Sequence, residues 1–140
     1  MLRWFSPQRT DYKINYEDVQ KCRGTHLIIN TLPTEQQNCL IVGTIPATQE
    51  TQRVNELLSK STSTTIIIYG KNCIDETVET KYNQLSKLGF TQVYVYQGGL
   101  FEWLLLQDIY GKDEFPTTMQ ELDILKYKPA KKLSYDLTNI

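Results

Sequence analysis

TIIIYG, residues 65–70, and VYVYQGGLFEW, residues 93–103, decide how this chain folds. A continuous β-branched run such as Thr65–Tyr69 suits a parallel strand covered on both faces, so it is expected at the centre of a sheet. Glycine tolerates a sharp exit from a strand, so Gly70 is predicted to follow the central strand directly. Downstream, Val78, Tyr82, Leu85 and Leu88 recur on one face of a helix. That helix closes at Gly89, a residue suited to a left-handed C-cap, with Phe90 packing just beyond it. Val93–Tyr96 reads as the next strand. Gln97-Gly98-Gly99 is a turn, and an apolar helix follows from about Leu100 to Ile109.

Upstream of this stretch the same alternation continues. INYEDVQKC, residues 14–22, suggests a short extended entry into a helix, with Asn15 as N-cap and Glu17 and Asp18 in the first turn. The helix is expected to stop near Gly24. His26–Ile29 and the run CLIVGTI, residues 39–45, both read as buried strands. Between Glu50 and Lys60, Val54, Leu57 and Leu58 mark an amphipathic helix that ends in Ser61-Thr62-Ser63-Thr64. Strands alternating with helices predict an α/β fold, a central parallel sheet flanked by helices on both faces. The chain divides into an N-terminal arm (1–13), one domain (14–110) and an irregular C-terminal tail (111–140).

At 140 residues, 40% hydrophobic, the chain is long enough to fold around its own core. Fifteen basic against sixteen acidic side chains give a net charge of -1, which supplies no field for a nucleic acid or a membrane surface. No apolar run is long enough to span a bilayer. Cys22, Cys39 and Cys73 are an odd count without metal-ligand spacing, which suggests reduced thiols in a cytoplasmic setting. No cofactor or metal motif is present. Gly98-Gly99 lacks the context of a phosphate loop, and His26 has no partner motif. The Lys126, Lys128, Lys131 and Lys132 cluster is interrupted by apolar residues and reads as a solvated surface.

TIIIYG, a helix ending Leu88-Gly89-Phe90, and VYVYQGGLFEW together resemble the C-terminal half of a rhodanese domain. Gly89, Phe90, Val93, Tyr94, Gly98, Gly99 and Trp103 fall into that pattern. The N-terminal half matches loosely through INYEDVQ, LIINTLP and LIVGTI, with Gly43 and Ile45 kept. Asn30 stands where the family usually has Asp, and Leu40 where it usually has His. GGLFEWLLLQDIYG also resembles a divergent branch of single-celled eukaryotes and their large DNA viruses, which would make a viral particle the alternative location.

The resemblance implies a catalytic cysteine immediately after the central strand, held where loop amides and a helix N-terminus favour a thiolate and persulfide. Here that place is taken by Gly70. The active-site-like loop is Gly70, Lys71, Asn72, Cys73, Ile74, Asp75 and Glu76, and Cys73 is the weak candidate for a nucleophile. Asp75, Glu76 and Glu79 are expected to repel anionic sulfur donors and to complement the helix N-terminus. The family's phosphatase relatives need an Arg that is not present before Lys81. The expected function is a non-catalytic rhodanese-like module that binds another protein, with a sulfurtransferase carrying persulfide on Cys73 as the alternative.

Two further expectations concern packing. Cys22 and Cys39 read as core residues, since free cysteine behaves as a small hydrophobe. Trp103 is expected to pack against the sheet edge or the tail. Phe115, Leu122, Ile124, Leu125, Tyr127 and Leu133 carry more apolar surface than a disordered segment tolerates, so the tail is expected to dock on the domain.

Overall fold

The computed structural model describes residues 11–133. Five strands form one sheet in the order β1-β5-β4-β2-β3: β1 (Lys13–Ile14), β2 (Leu27–Asn30), β3 (Thr44–Ile45), β4 (Ile66–Tyr69) and β5 (Val93–Tyr96). All four pairings are parallel, and β4 lies at the centre with Ile67 opposite both Ile28 and Tyr94. The four helices are α1 (Tyr16–Cys22), α2 (Ala47–Lys60), α3 (Glu76–Lys87) and α4 (Gly99–Tyr110).

Strand alternation divides the interior into two cores. Ile67 and Tyr69 of β4 face the α1/α4 side, where Val19, Leu100, Trp103 and Leu104 are buried. Ile66 and Ile68 face the α2/α3 side and meet Val54, Val78 and Leu85. A strand buried on both faces favours apolar side chains throughout, as in IIIY, and the one polar atom there, the Tyr69 hydroxyl, is hydrogen-bonded.

The local signals act as expected at several ends. Asn15 caps α1 by accepting from the amides of Glu17 and Asp18, and the Asp18 side chain closes a capping box. Gly89 ends α3 with φ of 110°, and Phe90 beyond it is buried. The expected strand over 39–45 is corrected. Only Thr44–Ile45 is regular, while Ile41 makes an isolated antiparallel bridge to Thr117. Cys39, Leu40 and Ile41 are buried because residues from the tail and β4 cover them: Leu40 N donates to Thr118 Oγ1 and Ile41 N to Tyr69 Oη. Helix α2 begins at Ala47, behind Pro46, three residues before Glu50, where the sequence places its start.

Tyr69 ties this irregular segment to the sheet. Its buried hydroxyl accepts from Ile41 N at 3.1 Å and pairs with Thr44 Oγ1 at 2.9 Å. Burial pushes the Tyr69 phenol well above its ordinary value of 10.0. Tyr69→Phe is expected to cost about 1–3 kcal/mol in urea unfolding, because the Ile41 amide loses its buried acceptor. The folded phenol titrates higher than the unfolded one. Its contribution is therefore complete below pH 10.0 and lost as the pH rises beyond that, and the variant flattens this alkaline slope.

Residues 111–133 cover the α1/α4 side. Phe115 and Tyr127 are buried, the latter on a 3-10 turn over Ile124–Tyr127, and Ile124 packs partly. Leu122, Leu125 and Leu133 are instead exposed, which corrects their expected burial: Leu125 lies on a 3-10 turn whose inward side is taken by Ile124 and Tyr127, and Leu122 and Leu133 lie outside any regular element. The expectations for residues 1–10 and 134–140 lie outside the described residues.

Candidate functional site

The connections after β4 and β5 leave the sheet for opposite faces, to α3 and α4 respectively. In open α/β sheets the crevice at such a switch holds ligands. Here Gly70, Lys71, Asn72, Cys73, Ile74 and Asp75 fill the interval between β4 and α3, and Glu76 opens that helix.

The loop is pinned by its own backbone. At the start of α4, Leu100 N donates to Gly70 O at 2.9 Å and Phe101 N to Lys71 O at 2.8 Å. These are first-turn amides without intrahelical partners, the donors that could otherwise hold an anion. Asn72, itself buried, accepts from Ile74 N and donates to Tyr127 O at 2.9 Å, so residues beyond 110 also clamp the loop.

Asp75 supplies the negative charge of the loop. Its Oδ2 accepts from Lys71 N at 2.9 Å, while Oδ1 accepts from the Thr77 amide at 3.0 Å as N-cap of α3. Thr77 Oγ1 also donates to Oδ1, and lies 2.8 Å from Thr31 Oγ1, whose hydroxyl is the donor of that pair. The carboxylate leaves no space beside Gly70. A Cβ at residue 70 would lie 2.5 Å from Asp75 Oδ2, 2.6 Å from Val78 Cγ2 and 2.7 Å from Thr31 Oγ1.

Cys73 is exposed and sits on the rim of a cleft of about 190 Å3 that also includes Lys13, Asp75, Glu76 and Glu79. One cation against three carboxylates repels thiosulfate or a persulfide anion. Cys39 is buried and Cys22 half-buried; burial pushes both thiols up, which keeps them protonated.

Asn30 and Leu40, which the resemblance sets at the family's Asp and His places, are both buried. The Asn30 side-chain amide pairs reciprocally with that of Gln37, and its Oδ1 also accepts from Leu32 N. Gln37 and Thr31 were missed in the sequence, since neither carries a motif; only the fold brings Thr31 beside Gly70. His26 is exposed and its Nδ1 lies 3.0 Å from Thr25 Oγ1. Lys126 pairs with Glu121, which holds that carboxyl below its ordinary range.

Residues 34–106 match the family model of the rhodanese-like domain. The chain belongs to the rhodanese-like family. Among solved structures, the rhodanese-like domain of the Alr3790 protein from Anabaena sp. is similar in fold, with 23% identity over 89% of each chain and a TM-score of 0.54. A crystal structure of that protein gives 22% identity, 81% of this chain, 86% of the other and a TM-score of 0.55. The BH2092 protein from Bacillus halodurans is similar at 15% identity, 84% and 90% coverage and a TM-score of 0.53. No curated protein sequence matches. At these identities the structures establish the rhodanese-like fold and nothing finer. No helix among the described residues is long and apolar enough to cross a membrane, and none of their His, Cys, Asp and Glu side chains group as a metal site.

Proposed function

We propose that this rhodanese-like domain is a non-catalytic module that binds another protein, in the cytoplasm or in a viral particle. One observation carries the reading. The place next to β4 where the family resemblance calls for a sulfur nucleophile holds a glycine, and the Asp75 carboxylate fills the space its side chain would need. An internal carboxylate on Lys71 N satisfies the amide that would otherwise attract an anionic donor. The loop is thereby stabilised as a surface and loses its use as a sulfur cradle.

The alternative, a persulfide carried on Cys73, draws on the exposure of that thiol. Incubation of the full chain with thiosulfate and cyanide, read by thiocyanate formation and by mass spectrometry for a 32 Da adduct (the mass of one sulfur atom, about 32 Da), separates the two. The expected result is no thiocyanate above the protein-free rate and no adduct. Turnover that Cys73→Ser abolishes would overturn the binding-module reading.

Gly70→Cys tests the steric part independently. It is expected to lower stability by about 1–3 kcal/mol, the usual cost of overpacking. Asp75→Ser shortens the obstructing side chain yet keeps an oxygen for the Thr77 amide. The double variant Gly70→Cys/Asp75→Ser is therefore expected to recover part of the loss in urea unfolding. Equal stability of Gly70→Cys and the wild type would show that the loop accommodates a nucleophile.

A further inference from the structure

A second concave surface lies between α1 and the turn that follows α4, away from the β4 loop. It is an open cleft of about 420 Å3 lined by Tyr16, Glu17, Gln20, Tyr110, Glu114 and Phe115. Phe115 forms its buried floor, and both tyrosines rest on that ring: Tyr16 at 5.6 Å between centroids and Tyr110 at 6.2 Å. Gln20 Nε2 donates to Glu114 O at 2.8 Å, which fixes α1 against the turn and sets the width of the cleft. Tyr110 is 65% exposed, so its ring remains accessible from solvent at the mouth of the cleft.

The lining combines ring faces with two carboxylates and contains no cation. Aromatic faces are negative and so are Glu17 and Glu114, while Gln20 is neutral, so the lining as a whole attracts a positive charge. Where cations of the described residues stand over rings, they do so elsewhere, Lys13 on Tyr12 and Lys126 on Tyr127. We infer that this cleft takes an arginine side chain presented by an extended segment of a partner protein. A guanidinium fits this lining better than an ammonium. It is planar and weakly hydrated, stacks on a tyrosine face, and pairs with a carboxylate through parallel N–H donors. The inference goes beyond the reading of the β4 loop and stands whether or not Cys73 carries sulfur.

The test is a titration of the isotope-labelled full chain with the blocked pentapeptide Gly-Ser-Arg-Ser-Gly, followed by amide chemical shifts. Saturable shifts are expected at Glu17, Glu114 and Phe115. Replacing the peptide's arginine with citrulline or leucine is expected to weaken binding about tenfold or more, since the charge is what the rings and carboxylates recognise. Tyr110→Ala and Glu114→Gln, both at exposed positions, are each expected to weaken it about fivefold while the remaining spectrum is unchanged. Absence of saturable shifts overturns the inference, as does equal binding of the citrulline or leucine peptide. Equal binding of a lysine peptide overturns the guanidinium assignment, and shifts confined to Asp75–Glu79 place any basic partner on the other cleft.

Discussion

Trp103→Ala is expected to lower stability by roughly 3–5 kcal/mol, the cost of emptying a fully enclosed aromatic site. The ring is completely buried and stands edge-on to Tyr96 at 6.1 Å and to Phe115 at 5.0 Å. Its Nε1 donates to Pro116 O at 3.2 Å, but that carbonyl also accepts from Val42 N, so truncation does not orphan it. The loss is therefore mainly a cavity and lost-burial term, and only secondarily a hydrogen-bond term. Because Trp103 joins β5 to residues 115–116, its removal is also expected to speed amide exchange at Val42 and Thr118, which depend on the segment it holds. Urea unfolding measures the first effect and hydrogen exchange the second. Unchanged stability with loss of a protein partner would make Trp103 a binding anchor and contradict its place in the core.

The elements that the sequence displays clearly are those whose signal is local. TIIIY needs no context to be a central strand, and helix ends are marked locally by the side-chain caps Asn15 and Asp75, by the positive φ of Gly89 and by the buried ring of Phe90. Residues 39–45 misled because burial and regular strand geometry are separate properties. Cys39, Leu40 and Ile41 are buried by the chain at 115–119 and by Tyr69, contacts that span 28 to 80 residues and leave no periodic trace.

The loop was legible in the same uneven way. The absence of a nucleophile at Gly70 follows from where the β-branched run ends, and the charge of Asp75 is evident in the sequence. That this carboxylate turns back on Lys71 N, and that it shares the space beside Gly70 with Thr31, is not visible in the sequence, because Thr31 reaches Gly70 only through the β2·β4 register. The aromatic floor at Phe115 was expected to dock somewhere, but its tyrosine neighbours come from the start of α1 and the end of α4, which no spacing in the sequence relates.

Gly99→Ala is expected to cost about 2–5 kcal/mol, more than glycine-to-alanine changes usually do. Two effects combine. Gly99 has φ of 68°, a conformation that strains any residue with a Cβ, and an added methyl would come within 2.8 Å of both Asn72 N and Gly70 O. Those atoms are backbone of the clamped loop and cannot rotate aside as a side chain could. Gly111→Ala separates the two contributions. Its φ of 102° and ψ of 164° lie in a region open essentially to glycine, yet nothing lies within 4 Å of the added carbon, so its cost is backbone strain without a clash. A larger cost at Gly99 than at Gly111 in urea unfolding therefore points to the clash. The clash also has a direction, because relief requires α4 to move from the loop and lengthens the bonds from Leu100 N to Gly70 O and from Phe101 N to Lys71 O. Faster exchange at these two amides in Gly99→Ala, and not in Gly111→Ala, is the expected signature. Equal costs for the two variants would show that the loop yields readily, and the close packing of α4 against Gly70 would then not be what keeps the loop in place.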